Sequence, residues 1–265
     1  YDFRADLRAV YQYYCGNHPA ADEAQYPLWQ GQPVGSKLTN RQLDERVNAC
    51  TGVDLPPEQR STVQKRNLAN ILAVTRIPER TLGSHLGWST FTFADLVNKR
   101  LGGRNPFTNE GVVYQGSDDD AALNSGVARF AADPEGVRLL SEDSDLTGDL
   151  QVPTLTLHAI DDPTAFVELE QVLHDTVAKA GKSALLVQAF TDEHEHSKLA
   201  TPQYAALFRA MSAWIDYGAK PDAARLAALC ADAVSVYGEA CHFRPTYTPP
   251  TLTNRSYVRE KPGLR

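Results

Sequence analysis

The chain has 265 residues, of which 42% are hydrophobic and 22% are charged, and these fractions are those of an ordinary globular protein. The formal net charge is −7 and the 26 basic residues are scattered, which argues against a nucleic-acid-binding protein. No run of about 18 apolar residues occurs, so the sequence predicts no membrane span. The length allows one large domain or two modest ones.

Four cysteines fall into two pairs that are close in the sequence, Cys15 with Cys50 and Cys230 with Cys241. Disulfides in these pairs would suit an exported protein, secreted or periplasmic. The alternative is four reduced, buried thiols in a cytoplasmic protein. The C-x-x-C motif is absent, which argues against a zinc or thiol-redox site.

Residues 1–150 are predicted to form a mostly helical region. Apolar residues at helical spacing predict the helices. Asn40 and Ser117 suit N-terminal caps, and the pair Gly102-Gly103 suits a C-terminal stop. The predicted helices cover residues 6–15, 40–50, 56–74, 92–101, 117 onward and 134–141. Residues 18–37, 76–89 and 104–116 are predicted as loops.

Residues 151–265 contain the two convincing strands. The short apolar runs at 155–158 and 184–190 are separated by an amphipathic segment, as buried parallel strands separated by a helix are. Pro163 is predicted to start the connecting helix and Pro202 the next one, with a third helix over 221–234 and an extended tail after it. The residues expected to face inward are Phe166, Leu169, Leu173 and Val177 in the first helix and Tyr204, Leu207, Met211 and Trp214 in the second.

Each predicted strand ends in a loop rich in one type of catalytic side chain. Asp161 and Asp162 follow the first strand, and His194 and His196 follow the second. The carboxyl ends of the strands line the site in a doubly wound α/β sheet. An aspartate and a histidine delivered there can serve as the orienting acid and the general base of a nucleophilic triad. His158, within the first strand, is interpreted as a hydrogen-bonded core histidine.

Residues 152–221 resemble the C-terminal part of α/β-hydrolases. The acid of that family follows a strand in a pattern like P-x-L-x-x-H-G-x-x-D-P, and residues 153–163 read PTLTLHAIDDP, with Ala159 in place of the usual glycine. This alignment puts the family's acid on Asp162. The His196-Ser197 pair, Trp214 and the turn GAKP at 218–221 are similar to the histidine region of secreted esterases of the tannase and feruloyl-esterase kind.

The resemblance implies an α/β fold. Residues 151–265 would be the C-terminal part of an α/β-hydrolase sheet, two strands with flanking helices, and residues 1–150 a helical lid or cap. It also implies hydrolysis of carboxylic esters, small or polymeric, through an acyl-enzyme. Asp162 would orient, His196 would act as the base, and no cofactor would be needed.

The nucleophile motif of that family, G-x-S-x-G on a strand-to-helix turn, does not occur in this chain. The nearest match is GSHLG at 83–87, where Ser84 is one position early; Ser89 and Ser117 lack such a turn as well. A parallel sheet of two strands cannot stand alone. We therefore interpret the chain as the C-terminal half of a hydrolase, with the serine on a separate N-terminal chain of the same precursor, cleaved before Tyr1.

Several alternatives remain open at this point. Asp162 can instead cap the helix at Pro163, and Asp161 or His194 can take the catalytic places. His194 and His196 can bind a metal together, with Asp192 or Glu195 adding oxygen, in a metal-dependent hydrolase. The chain can also be a non-catalytic, exported helical binding module.

Overall fold

The computed structural model describes residues 3–257. Of these, residues 3–145 and 255–257 form one compact unit and residues 146–254 a second. The division falls five residues before the predicted one at 150, and the last described residues belong to the first unit. No helix in the described part of the chain is long and apolar enough to cross a membrane.

The first unit is built from helices joined by turns and irregular segments. Its α-helices are α1 Arg4–Cys15, α2 Asn40–Thr51, α3 Thr62–Thr75, α4 Leu82–Gly87, α5 Phe93–Asp95, α6 Asp120–Gly126 and α7 Pro134–Ser144. Single 3-10 turns lie at Leu28–Gln30, Pro57–Gln59 and Glu79–Thr81, and π-helical segments at Trp88–Thr92 and Leu96–Arg100.

Three of the predicted helix starts are wrong by a few residues. Thr39, not Asn40, caps α2 in a capping box with Gln42. Ser61 caps α3, because the prolines at 56 and 57 form a separate 3-10 turn before it. Asp119 caps α6 in place of Ser117. In each case the residue used has a side-chain oxygen that reaches a backbone N–H of the first turn.

The largest local error concerns residues 76–89, predicted as a loop. The chain is helical without a break from α4 through the π-helical segments to Arg100. Leu82 and Leu86 are fully buried at a spacing of one turn, and this burial outweighs the weak helix propensity of Gly83 and Gly87. The predicted stop is confirmed, since Gly102 and Gly103 both have positive φ.

A buried polar cluster lies in the middle of the first unit. The Arg8 guanidinium donates to the Gly31 carbonyl at 3.0 Å and to Thr90 Oγ1 at 3.1 Å. Thr90 Oγ1 lies 2.8 Å from His18 Nε2. Burial, aided by the positive charges of Arg8 and Arg46, lowers the pKa of His18 to about 2. His18 is therefore a neutral ring that is hydrogen-bonded to Thr90.

This neutral histidine predicts a stability change with pH. Below its ordinary pKa of about 6.5, His18 takes up a proton in the unfolded chain but not in the native one. Native stability should therefore fall by about 1.4 kcal/mol per pH unit as the pH drops from 6.5 towards 2. Urea unfolding at pH 7 and pH 5 measures this loss. His18→Gln should lack the His18 contribution, whereas the exposed His174→Gln should keep it; equal pH slopes in all three proteins would contradict the prediction.

The second unit holds the sheet. Strands β1 Thr154–Ala159 and β2 Leu186–Thr191 are parallel, with Thr154 paired to Leu186 and Ala159 to Thr191. The α-helices are α8 Glu168–Lys179, α9 Thr201–Tyr217 and α10 Ala223–Tyr237, and short 3-10 turns lie at Ser183–Leu185 and Leu252–Asn254. The unit therefore mixes helices with a parallel sheet, as an α/β protein does.

One face of the sheet packs on α9 and α10. Leu155, Leu157 and Val187 contact a cluster of buried residues. The members of this cluster are Ala189, Ala206, Ala210, Leu226, Leu229 and Cys230. Small residues at the contact let α9 approach α10 closely.

Two details of the predicted second unit are wrong. Pro163 does not start the connecting helix: α8 begins at Glu168, and Leu169 is exposed while Phe166, before the helix, is buried. The inward face of α9 is also rotated. Of its predicted inward residues Trp214 is buried and Tyr204 is exposed, because Ala206 and Ala210 pack on the cluster instead.

Both predicted disulfides are confirmed, Cys15–Cys50 in the first unit and Cys230–Cys241 in the second. Cys15 ends α1 and Cys50 lies in the last turn of α2, so the first bond joins two helices. The second fastens the chain after α10 back to that helix. Paired cysteines of this kind are expected of a protein that folds in an oxidising compartment.

Candidate active site at the carboxyl ends of the two strands

The loops after β1 and β2 leave the sheet side by side. Beyond the last paired residues, the Ile160 N–H donates to the Thr191 carbonyl at 2.9 Å, and the Asp161 N–H donates to the Glu193 carbonyl at 3.2 Å. These bonds continue the parallel pairing into the loops. The carboxylates that follow β1 are thereby held beside the histidines that follow β2.

Asp162 is a buried carboxylate whose side chain is only 4% exposed. Its Oδ1 accepts hydrogen bonds from the Thr164 N–H at 2.8 Å and the Ala165 N–H at 2.9 Å. Oδ1 therefore caps the turn at residues 162–165. Capping was the alternative role predicted for Asp162, but the structure that it caps is a turn and not α8. The other oxygen, Oδ2, is left for a different partner.

That partner is His196. Its Nδ1 lies 2.7 Å from Asp162 Oδ2, and its side chain is 54% exposed. A carboxylate only accepts hydrogen bonds, so this contact places a proton on Nδ1 and leaves Nε2 with a lone pair in the neutral ring. An imidazole held in this way can take a proton from a hydroxyl presented to Nε2.

The two alternative residues form a second, more exposed pair. His194 Nδ1 lies 2.9 Å from Asp161 Oδ2, and the two side chains are 67% and 60% exposed. An ion pair in such surroundings is screened by water and holds its ring less firmly than a buried carboxylate does. Between the two pairs, burial and the fixed carboxylate favour Asp162 and His196.

The geometry gives no support to the metal alternative. The rings of His194 and His196 are bound to different carboxylates. Among residues 3–257, no group of three or more His, Cys, Asp and Glu side chains is arranged to hold a metal ion.

Glu193, which was not predicted, holds the histidine loop to the start of α9. Glu193 Oε1 accepts from the Ala200 N–H at 2.9 Å, and its Oε2 accepts from Gln203 Nε2 at 2.7 Å. The fully buried Gln203 also accepts from the His242 N–H at 2.8 Å. The only signal of this contact in the sequence was the polar Gln203 in the first turn of α9. A polar residue at such a position does not by itself indicate a contact.

A second polar network lies on the sheet face turned towards α8. His158 Nδ1 lies 3.2 Å from Glu170 Oε1, and Glu170 Oε2 accepts from Thr156 Oγ1 at 2.9 Å and from Gln188 Nε2 at 2.6 Å. Burial raises the pKa of Glu170, but these hydrogen bonds together outweigh it and the net pKa is lowered. His158 is thus hydrogen-bonded, as predicted, whereas the role of Glu170 was not predicted.

None of the three candidate serines lies on a strand-to-helix turn. Ser84 is in α4, and Ser89 is in the π-helical segment after it, where its hydroxyl donates to the Leu86 carbonyl at 3.0 Å. Ser117 donates to Asp120 Oδ1 in the loop before α6. The helical placement of Ser84 removes the sequence match at 83–87 as a nucleophile turn.

Comparison with known proteins yields no relative. No family model matches the chain, and no curated protein and no solved structure is significantly similar to it.

Proposed function

We propose that this chain supplies the acid and base of a serine hydrolase that cleaves carboxylic esters. The observation that supports this most directly is the 2.7 Å contact between Asp162 Oδ2 and Nδ1 of a half-exposed His196. The pair also lies where the carboxyl ends of parallel strands place catalytic groups.

In the proposed reaction, Nε2 of His196 takes the proton of a serine hydroxyl as the oxygen attacks the ester carbonyl. Asp162 stabilises the imidazolium that forms. The same Nε2–H then protonates the leaving alkoxide, the C–O bond breaks, and an acyl-serine remains. A water molecule, deprotonated by Nε2 in the same way, releases the acid and restores the serine. The helical first unit as a lid or cap is part of the same proposal.

We propose further that the serine belongs to a separate chain of the same precursor. None of the three candidate serines Ser84, Ser89 and Ser117 lies on a strand-to-helix turn, and in the described part of the chain β1 has β2 as its sole strand neighbour. A parallel sheet normally has several strands and is covered on both faces. A partner that extends the sheet next to β1 would bring its own strand end to the same edge as Asp162.

Labelling of the natively purified protein with a fluorophosphonate probe tests this proposal. Denaturing electrophoresis and mass spectrometry then identify the labelled polypeptide. We expect the label on a co-purifying chain and none on this one. Label on any serine of this chain would overturn the two-chain arrangement, and the absence of any label would overturn the serine mechanism.

A second candidate is an exported, non-catalytic binding module. The specific observation in its favour is the exposed apolar face of α9, which carries Tyr204, Phe208 and Ile215 at helical spacing. Exposed apolar surface of this kind is typical of contact with another protein. This candidate predicts no covalent label on any chain, so the same experiment separates the two.

A further inference from the structure

The His158 ring is hydrogen-bonded at both of its nitrogens. Its Nε2 lies 2.7 Å from the Ala165 carbonyl oxygen, and its Nδ1 lies 3.2 Å from Glu170 Oε1. A carbonyl oxygen accepts hydrogen bonds and cannot donate one, and an ionised carboxylate has the same limitation. Both ring nitrogens therefore need a proton, and the geometry is that of an imidazolium ion.

The surroundings of the ring agree with a positive charge. Among residues 3–257, the charged groups that contact the ring are Glu170 of α8 and Asp162 of the loop, and the β2 residue nearby, Gln188, is neutral. Burial alone would lower the pKa of His158, but the bonds to Glu170 and Ala165 and the two negative charges outweigh it, and the net pKa is raised. The side chain is 13% exposed, so little water screens these charges.

The ring also reaches the candidate site. Its Nε2 lies 3.6 Å from Asp162 Oδ2, the same oxygen that His196 contacts at 2.7 Å. A positive charge at this oxygen offsets part of the penalty for burying the carboxylate. Without the ring, the Asp162 carboxylate would lose this neighbour and would be held less firmly towards His196.

His158 also fixes the turn that orients Asp162. The Ala165 peptide unit carries the carbonyl that accepts from His158, and the Ala165 N–H donates to Asp162 Oδ1. His158 therefore affects Asp162 in two ways. Its charge attracts Oδ2, and its hydrogen bond to Ala165 stabilises the turn whose amides bind Oδ1. The contacts thus run from Glu170 through His158 to Asp162 and from Asp162 to His196.

We propose that His158 is a positioning residue, held as an imidazolium by Glu170, which keeps the Asp162 carboxylate oriented towards His196. This inference deepens the proposed function and rests on it for its catalytic meaning. Its structural content, the state of the two rings, is measurable without any substrate or partner chain.

The experiment is a nitrogen-15 NMR measurement of the histidine rings in the full chain. The nitrogen shift separates a protonated ring nitrogen from a bare one, and so gives the tautomer of a neutral ring. We expect both nitrogens of His158 to be protonated at pH 7. At a pH where the His196 ring is neutral, we expect its proton to reside mainly on Nδ1.

In His158→Leu the preference of His196 for the Nδ1–H form should fall by roughly tenfold. The Asp162 carboxylate loses the neighbouring cation, and the turn that orients it loses the hydrogen bond from His158. His174→Leu, which removes an exposed histidine of α8, should leave the preference unchanged. Unfolding midpoints of both variants check that the fold persists. A wild-type tautomer ratio in folded His158→Leu would overturn the proposal, as would a neutral His158 in the wild type at pH 7.

Glu170→Gln tests the same proposal if His158→Leu fails to fold. The amide removes the anion but can still bond to the sheet, so His158 should become neutral near pH 7 and the Nδ1–H form of His196 should become less populated. A neutral His158 with an unchanged His196 would overturn the proposal. A missing fluorophosphonate label with the expected NMR result would refute the hydrolase and leave the positioning role intact.

Discussion

We expect Asp162→Asn to reduce ester hydrolysis by the natively purified protein by about 10⁴-fold, the loss typical of an orienting aspartate in a serine triad. The asparagine oxygen can still accept from the Thr164 and Ala165 amides, so the turn should persist. Its amide group donates where the carboxylate accepted, and it therefore favours a proton on Nε2 of His196, where the base needs a lone pair. Initial rates with a chromogenic ester measure the effect.

The adjacent carboxylate provides a matched control. Asp161→Asn removes the same charge one residue away, but from the exposed pair with His194. We expect its rate to stay within a factor of about two of wild type, since an exposed pair contributes little. If Asp161→Asn loses the activity and Asp162→Asn keeps it, the assignment of the two pairs is reversed.

Removal of the Cys15–Cys50 disulfide by a double alanine substitution should destabilise the first unit by about 4 kcal/mol. The bond closes a loop with a sequence separation of 35 residues, and the entropy that it removes from the unfolded chain gives this magnitude. Amide exchange in the most protected parts of α1 and α2 should become about 10³-fold faster in consequence. Native-state hydrogen exchange measures this change residue by residue.

The other disulfide serves as the comparison. Cys230–Cys241 spans a sequence separation of 11 and lies in the second unit, so its removal should cost about 3 kcal/mol there and leave exchange in α1 and α2 as it was. Unchanged exchange in α1 and α2 after loss of Cys15–Cys50 would show that the cross-link does not stabilise that unit.

The candidate site could be anticipated because its logic is local. The sequence shows two short apolar runs, one followed by Asp161 and Asp162 and the other by His194 and His196. The parallel pairing of β1 and β2 brings the two loops together. Which aspartate meets which histidine could not be read. That choice depends on the turn at residues 162–165, whose amides fix one oxygen of Asp162.

The parts that escaped prediction depend on packing between distant segments. Gly83 and Gly87 indicated a loop, but burial of Leu82 and Leu86 makes that segment helical. The alanines of α9 carry no strong inward signal, yet their small size decides which face meets α10. Glu170 and Gln188 form a network with His158 only because α8 crosses the sheet, and no spacing in the sequence encodes that crossing.

The pairing of Ala159 with Thr191 fixes the distance between the two loops of the candidate site. Asp162 lies three residues beyond one end of this pair and His196 five beyond the other. Asp162 and His196 are 34 positions apart along the chain, and the part of this segment before β2, which is α8 and its connections, sets no distance between the two side chains. A change of length between Lys179 and Ser183 leaves the pairing of Ala159 with Thr191 in place, whereas an added residue in either short loop would move Asp162 away from His196. Sequence searches for such pairs should therefore hold the two loop lengths constant and let the crossover vary.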